Sequence, residues 1–139
     1  MLTRRLILSI AAISPLPVTM ALAAEAAPAY GQAALKAAQD SGRPILIEIQ
    51  ASWCPTCKAR SAVLEPMLKQ DTFKSMAVFR VDFDAQKPVV RAFGADMQST
   101  LIVIRGATEV GRVVGETDGA AIELPLVPIV LGSASAEHR

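Results

Sequence analysis

The most informative stretch of this chain runs from Ile45 to Lys58 and reads ILIEIQASWCPTCK. Its first six residues, Ile45 to Gln50, are rich in isoleucine, which is typical of a buried strand. From Lys58 to Gln70 the apolar residues recur at helical spacing. The pattern therefore predicts a strand, a turn that contains both cysteines of the chain, and a helix.

The two cysteines, Cys54 and Cys57, have the spacing of a reactive dithiol at a helix start. Backbone N–H groups and the positive end of the helix dipole favour the thiolate form of Cys54. We therefore expect Cys54 to be the nucleophile, and Cys57, one turn further on and more buried, to be the resolving thiol that releases the product. Pro55 suits the helix start because its missing N–H would have no partner there. A structural disulfide is the alternative, but so small a loop contributes little stability through chain entropy.

The first 23 residues have the pattern of a signal peptide, 1–23. Met1–Arg5 is basic, Leu6–Ile13 is apolar, and Ala21–Ala23 supplies the small residues that precede signal peptidase cleavage. Cleavage there leaves residues 24–139 as the mature chain and predicts a periplasmic protein, in a compartment where disulfides persist. The alternative is an uncleaved membrane anchor, because the apolar region approaches the roughly 20 residues that cross a bilayer.

Composition excludes several kinds of partner and site. The chain has 14 Lys and Arg against 13 Asp and Glu, so we expect no binding to nucleic acid or to anionic membrane surfaces. Two cysteines and one histidine, His138, cannot complete a four-ligand zinc site within one chain. We therefore predict no metal site and no cofactor. A chain of this length forms one domain, which we expect to act as a monomer.

The remaining segments alternate between helix-like and strand-like patterns. The predicted order is helix 29–39, strand 45–50, helix 58–70, strand 77–83, helix 86–93, strand 100–104, a turn at 106–111 leading into a strand at 113–114, and a short helix at 118–124. This order predicts an α/β sandwich in which a parallel pair of strands is continued by an antiparallel hairpin.

From about Tyr30 to Ile122 the chain resembles the thioredoxin superfamily. The strand and tryptophan that lead into Cys54, the segment Arg91–Gly94 with the strand that follows, and the hairpin Glu109–Gly115 each look like the corresponding part of that family. The resemblance implies a thioredoxin-like three-layer sandwich, with a central mixed sheet flanked by helices. It also implies a thiol–disulfide oxidoreductase that acts on protein disulfides.

Glu48 is the one charged residue in the strand before the dithiol, six positions ahead of Cys54. A carboxylate in an apolar strand is a candidate acid/base for proton transfer. In thioredoxins the matching position is a buried acid associated with proton exchange with the resolving thiol. Glutamate there is similar to the periplasmic reducing branch, which includes TlpA-like and cytochrome c maturation proteins. The alternative is a glutamate that faces solvent, and Arg80 either pairs with Glu48 or lies on the surface.

Ser99 is the main departure from the family pattern. The resemblance places it where nearly all thioredoxins have a cis-proline facing the dithiol, and a cis bond before serine lies about 3 kcal/mol above trans. We therefore expect the Gln98–Ser99 peptide to be either strained or trans. The family docks its substrate on the backbone just before this position. The predicted substrate-binding residues are Trp53, Pro55, Thr56, Gln98 and Ser99.

Loss of the proline ring is associated in this superfamily with metal or cluster binding. The competing prediction is therefore a copper or iron–sulfur carrier that uses Cys54 and Cys57. Met97 lies beside the same loop, where its thioether either helps to hold Cu(I) or fills a gap in the core. A docking domain with an incidental disulfide is a third alternative.

The tail at 125–139 is the second departure. It contains a strongly apolar run, but Pro125 and Pro128 are expected to end the last helix within about two turns. A shortened or atypical C-terminal helix is therefore predicted, and the pattern assigns no function to the tail.

Together these features predict a periplasmic thiol–disulfide oxidoreductase that reduces protein disulfides, with Glu48 favouring reduction. A reductase in that compartment draws electrons from across the membrane, so a membrane thiol-relay reductase is the implied partner. Apocytochromes are candidate clients, which would place the protein in cytochrome c biogenesis. Besides the metal carrier, the alternative is a disulfide oxidant that uses the same cysteines.

Overall fold

The computed structural model describes residues 29–136, with side chains through residue 132. Predictions made for residues 1–28 and for His138 lie outside the described residues. The elements are α1 (Gln32–Asp40), β1 (Ile45–Gln50), α2 (Pro55–Leu68), β2 (Ala77–Asp82), α3 (Lys87–Ala92), β3 (Thr100–Arg105), β4 (Thr108–Val114) and α4 (Gly119–Ala136).

The four strands form one mixed sheet in the order β2-β1-β3-β4. Strand β1 pairs in parallel with β2 and antiparallel with β3, and β3 pairs antiparallel with β4. The prediction of a parallel pair continued by an antiparallel hairpin is confirmed. The hairpin differs in length, because only Gly106 and Ala107 separate its strands and β4 already begins at Thr108.

Alternate residues of β1 face two separate cores, which makes the fold three-layered. Ile45, Ile47 and Ile49 pack with residues of α1 and α3 on one face of the sheet. Leu46 packs with residues of α2 and α4 on the other face. The predicted three-layer sandwich is confirmed. Because side chains alternate along a strand, Glu48 lies on the same face as Leu46, beneath α2.

Helix α4 is longer than predicted. It runs for 18 residues through both Pro125 and Pro128, so the prediction that the prolines end it within two turns is wrong. A proline inside a helix costs about 3 kcal/mol. Burial of a large aliphatic side chain contributes about 1.5–3 kcal/mol, and α4 buries Ile122, Leu126 and Ile129. The three burials offset the two prolines, so packing against the sheet sustains the helix.

The outer side of α4 is also apolar. Leu124 and Leu131 are exposed there, which leaves this face without a packing partner among the described residues. None of the helices within residues 29–136 has the length and hydrophobicity of a membrane span.

Candidate active site

The dithiol lies at the junction of β1 and α2, as the sequence predicts. Cys54 is the N-cap residue of α2, and its Sγ accepts a hydrogen bond from the backbone N–H of Cys57 at 3.1 Å. Pro55 is the first helical residue, where its lack of an N–H is tolerated. A sulfur in this position faces the unpaired N–H groups and the positive end of the helix dipole, and both stabilise a thiolate.

Both thiols are free and buried. Cys54 is 4% exposed and Cys57 is 3% exposed, so the predicted difference in burial between them is small. They pack with Ala51 and with the ring of Phe83, which lies just after β2. Cys54 is as enclosed as Cys57 because its sulfur folds back over the first turn of α2.

The pKa of the Cys57 thiol is raised above its ordinary value, first by burial and then by its hydrogen bond with Cys54. The charge of Cys54 raises the pKa further, whereas a backbone hydrogen bond with Ala51 and the charge of Arg60 lower it. Cys57 is therefore a thiol at rest, and the resolving step requires surroundings that help it to ionise.

Glu48 is buried beneath the dithiol helix and is surrounded by donors. Its carboxylate accepts from Arg80 Nε at 3.0 Å, from Arg60 Nη2 at 3.4 Å and from Ser61 Oγ at 3.4 Å. Glu48 is only 1% exposed, so the alternative in which it faces solvent is wrong. The predicted pairing of Arg80 with Glu48 is confirmed, and Arg80 also bonds Glu65 at the surface. The two guanidinium groups counter the cost of burying the carboxylate charge.

Arg60 is the site residue that the sequence analysis missed. It lies inside α2 with no exposed surface, although arginine is rarely buried. Its Nη1 donates to Ser99 Oγ at 2.9 Å, and its Nη2 is 3.4 Å from Ile49 O as well as contacting Glu48. Arg60 follows Cys57 by three residues and so shares its helix face, but this spacing alone does not indicate that its side chain is buried.

Ser99 has an unusual backbone conformation. Its φ is +61°, and it is the only non-glycine residue in 29–136 with positive φ. No described peptide bond is cis, so the Gln98–Ser99 bond is trans and the backbone strain lies at Ser99 itself. Ser99 is buried, its hydroxyl accepts from Arg60, and its carbonyl accepts from Gly115 N at 2.9 Å.

Three of the predicted substrate-binding residues lie beside the cysteines in the sequence, whereas Gln98 and Ser99 lie just before β3. Trp53 is 58% exposed, and its Nε1 donates to Asp84 Oδ2 at 2.7 Å. Pro55 is exposed, while Thr56 and Gln98 are half-buried. Together with buried Ser99, they stay predictions as substrate contacts.

The alternative in which Met97 fills a gap in the core is wrong. Its side chain is 54% exposed, and its backbone carbonyl accepts from Thr100 Oγ1 at 2.7 Å. Within the described part of the chain, no group of three or more His, Cys, Asp or Glu side chains could hold a metal ion.

Comparison with known proteins agrees with this geometry. The thioredoxin family model matches residues 28–126. A thioredoxin H-type protein of Fagopyrum esculentum is 32% identical over 78 residues, which cover 56% of this chain and 66% of that protein. Thioredoxin H4 of Arabidopsis thaliana is 33% identical over 82 residues, covering 58% of this chain and 67% of that protein. The chain thus spans about two thirds of the length of these relatives.

Solved structures extend the likeness to the fold. Trxlp of Edwardsiella tarda EIB202 is 41% identical, with a TM-score of 0.67, over 68% of this chain and 92% of that one. The thioredoxin of Malassezia sympodialis shares the fold at 20% identity and a TM-score of 0.64, over 76% of this chain and 91% of that one. The family model, which matches most of the chain, and the dithiol at the start of α2 lead to one assignment. The chain belongs to the thioredoxin family of thiol–disulfide oxidoreductases, with Cys54 and Cys57 as its C-x-x-C pair.

Proposed function

We propose that this protein reduces protein disulfides in a bacterial periplasm. The observation that carries the proposal is the position of Cys54, whose sulfur caps α2 and accepts the N–H of Cys57 at 3.1 Å. A thiolate held there attacks one sulfur of a client disulfide. The secretion pattern of residues 1–23 supports the periplasmic location.

The reaction consists of two thiol–disulfide exchanges. Cys54 Sγ bonds one client sulfur, the client S–S bond breaks, and the other client sulfur leaves as a thiolate that takes up a proton. Cys57, once deprotonated, then attacks Cys54 Sγ, and the first client sulfur leaves and is protonated in turn. The protein dithiol is oxidised by two electrons to the Cys54–Cys57 disulfide, and the client disulfide is reduced to two thiols.

Two observations bear on whether the protein reduces or oxidises its client proteins. Glu48 lies buried beneath the dithiol helix, and its similarity to the glutamate of the periplasmic reducing branch supports the reducing role. Arg60 acts in the opposite sense, because a buried cation favours the thiolate of the reduced form. Arg60 is thus the observation that supports the second candidate, a disulfide oxidant.

Partners follow from the compartment. A periplasmic reductase needs electrons from the cytoplasm, so we propose a membrane thiol-relay reductase as the donor. Apocytochromes, whose haem-binding thiols must be reduced before attachment, are the proposed clients. The exposed rim formed by Trp53 and Pro55 is the proposed contact surface for such clients.

Equilibration of the dithiol with glutathione buffers tests the direction. We expect a potential near the value of about −270 mV for thioredoxin, together with reduction of a model protein disulfide such as those of insulin. A potential near about −120 mV without insulin reduction would identify an oxidant instead. Cys54→Ser should abolish the reaction, and Cys57→Ala should accumulate mixed disulfides that identify the clients. Fusion of residues 1–28 to a reporter that is active only after export tests the location.

A further inference from the structure

Arg60 occupies a position from which its charge reaches the resolving thiol. Cys57 and Arg60 are three residues apart on α2, so their Cβ atoms lie about 5–6 Å apart on one helix face. Both side chains are buried, at 3% and 0% exposure, and little water screens the interaction. The ordinary role of an arginine on a helix, a solvated surface charge, therefore does not apply here.

The guanidinium of Arg60 is held by residues outside α2. Ser99 Oγ accepts from Nη1, while Glu48 and the carbonyl of Ile49 contact Nη2. The third nitrogen of the guanidinium, Nε, carries an N–H that has no acceptor among the described residues. A buried donor without an acceptor is uncommon and calls for an explanation. An anion that forms only during the reaction supplies one.

The Cys57 thiolate is such an anion. In the mixed disulfide, Cys54 is bonded to the client, so the hydrogen bond and the charge through which Cys54 raises the pKa of Cys57 no longer act in the same way. Burial still opposes ionisation. The influences that remain to favour the thiolate are the backbone hydrogen bond with Ala51 and the charge of Arg60.

We propose that Arg60 is a positioning residue: a buried cation, oriented by Ser99 and Glu48, that stabilises the Cys57 thiolate in the resolving step. This role rests on the proposed disulfide exchange and deepens it. In that step Cys57 gives up its proton to water, the Cys57–Cys54 bond forms, and the Cys54–client bond breaks. The client sulfur leaves with the bonding electron pair and is protonated by water.

The test measures ionisation of Cys57 without any client. In a Cys54→Ser background, the ultraviolet absorbance of the thiolate is titrated against pH. Arg60→Met removes the charge and keeps an unbranched side chain, whereas Arg60→Lys keeps the charge. Arg80→Met is the matched control, because Arg80 is the other cation on Glu48 and is not among the groups that shift the pKa of Cys57.

We expect Arg60→Met to move the titration midpoint upward by roughly one pH unit, Arg60→Lys to restore much of that shift, and Arg80→Met to leave the midpoint in place. With both cysteines present, the reaction with an aromatic disulfide releases one coloured thiolate when Cys54 attacks and a second when Cys57 resolves. Arg60→Met should slow the second release roughly tenfold at neutral pH and leave the first nearly unchanged.

An unchanged midpoint in Arg60→Met overturns the proposal. An equal shift in Arg60→Lys also overturns it, because it would mean that Arg60 acts through packing rather than charge. An equal shift in Arg80→Met overturns it as well, because it would mean that Arg60 acts only by pairing with Glu48. Ser99→Ala provides a second test if Arg60→Met does not fold, because it removes one contact of the guanidinium without changing the charge. We expect Ser99→Ala to raise the titration midpoint of Cys57 by less than Arg60→Met does. The titration needs no disulfide substrate. A wild-type protein that reduces no client disulfide would therefore refute the proposed function and leave the Arg60 result standing.

Discussion

Substitution of Ser99 by proline, the residue that the resemblance to thioredoxins implies at this position, should destabilise this protein. Proline fixes φ near −65°, whereas Ser99 has φ +61°. The substitution also removes the hydroxyl that accepts from Arg60. The chain would have to rebuild the loop before β3, including the bond from Gly115 N to the Ser99 carbonyl.

The magnitudes follow from these contacts. Loss of a buried hydrogen bond from a charged donor costs about 1.5–3 kcal/mol, and Ser99→Ala should show this loss alone. Ser99→Gly loses the same bond but adopts positive φ freely, so it should be about 1 kcal/mol more stable than Ser99→Ala. Ser99→Pro adds a forced rearrangement of the backbone, which brings its total loss to about 4 kcal/mol or more.

Urea denaturation of the reduced proteins, followed by far-ultraviolet circular dichroism, measures the series. With a slope of about 1–3 kcal/mol per molar urea, even the smallest of these differences is resolvable. The expected order of stability is wild type, glycine, alanine and proline. A proline variant as stable as the glycine variant would refute the left-handed conformation of Ser99. An alanine variant as stable as wild type would refute the contribution of the Arg60–Ser99 bond.

Three further predictions concern other parts of the molecule. Burial raises the pKa of Cys57 above its ordinary value of 9.0, so the thiol ionises at lower pH in the unfolded chain than in the folded one. The stability that the protonated thiol contributes to the fold is therefore complete below pH 9.0 and is lost as the pH rises through the folded pKa. Cys57→Ala should accordingly make the urea midpoint fall less steeply at alkaline pH. Pro128→Ala should raise the free energy of unfolding by about 1–3 kcal/mol in the same assay, because the exposed Pro128 interrupts the hydrogen bonding of α4. A lower stability of this variant would show that the proline ring packs favourably. Asp84→Asn weakens the charge-assisted bond to Trp53 Nε1 and should change the fluorescence of this sole tryptophan, with a stability change below about 1 kcal/mol; an unchanged spectrum would contradict the bond.

The central part of the fold was predictable because its signals are local. The isoleucine-rich strand, the dithiol and the helix that follows are consecutive, so β1, α2 and the placement of Cys54 follow from composition and spacing. The mixed sheet followed from the order of elements and from the short hairpin, since short connections favour antiparallel neighbours. The burial of Glu48 was also predictable, because its strand is apolar on both sides of it.

The rest of the site depends on contacts between distant segments. Arg60 meets Ser99 across 39 positions, and Arg80 meets Glu48 across 32. No local pattern indicates that an arginine in a helix is fully buried, because charged residues on helices usually face water. The positive φ of Ser99 was not predictable either, since serine has no intrinsic preference for it and surrounding hydrogen bonds hold it there.

Helix α4 shows the same division. Its prolines are local signals, and local signals indicate a short helix. Its continuation depends on Ile122, Leu126 and Ile129, whose burial against the sheet becomes favourable only once β3 and β4 are assembled. The pattern of residues along the chain thus specified the redox pair and the succession of helices and strands along the chain. The charges around that pair and the extent of the last helix depended on burial, which is a property of the assembled layers rather than of neighbouring residues.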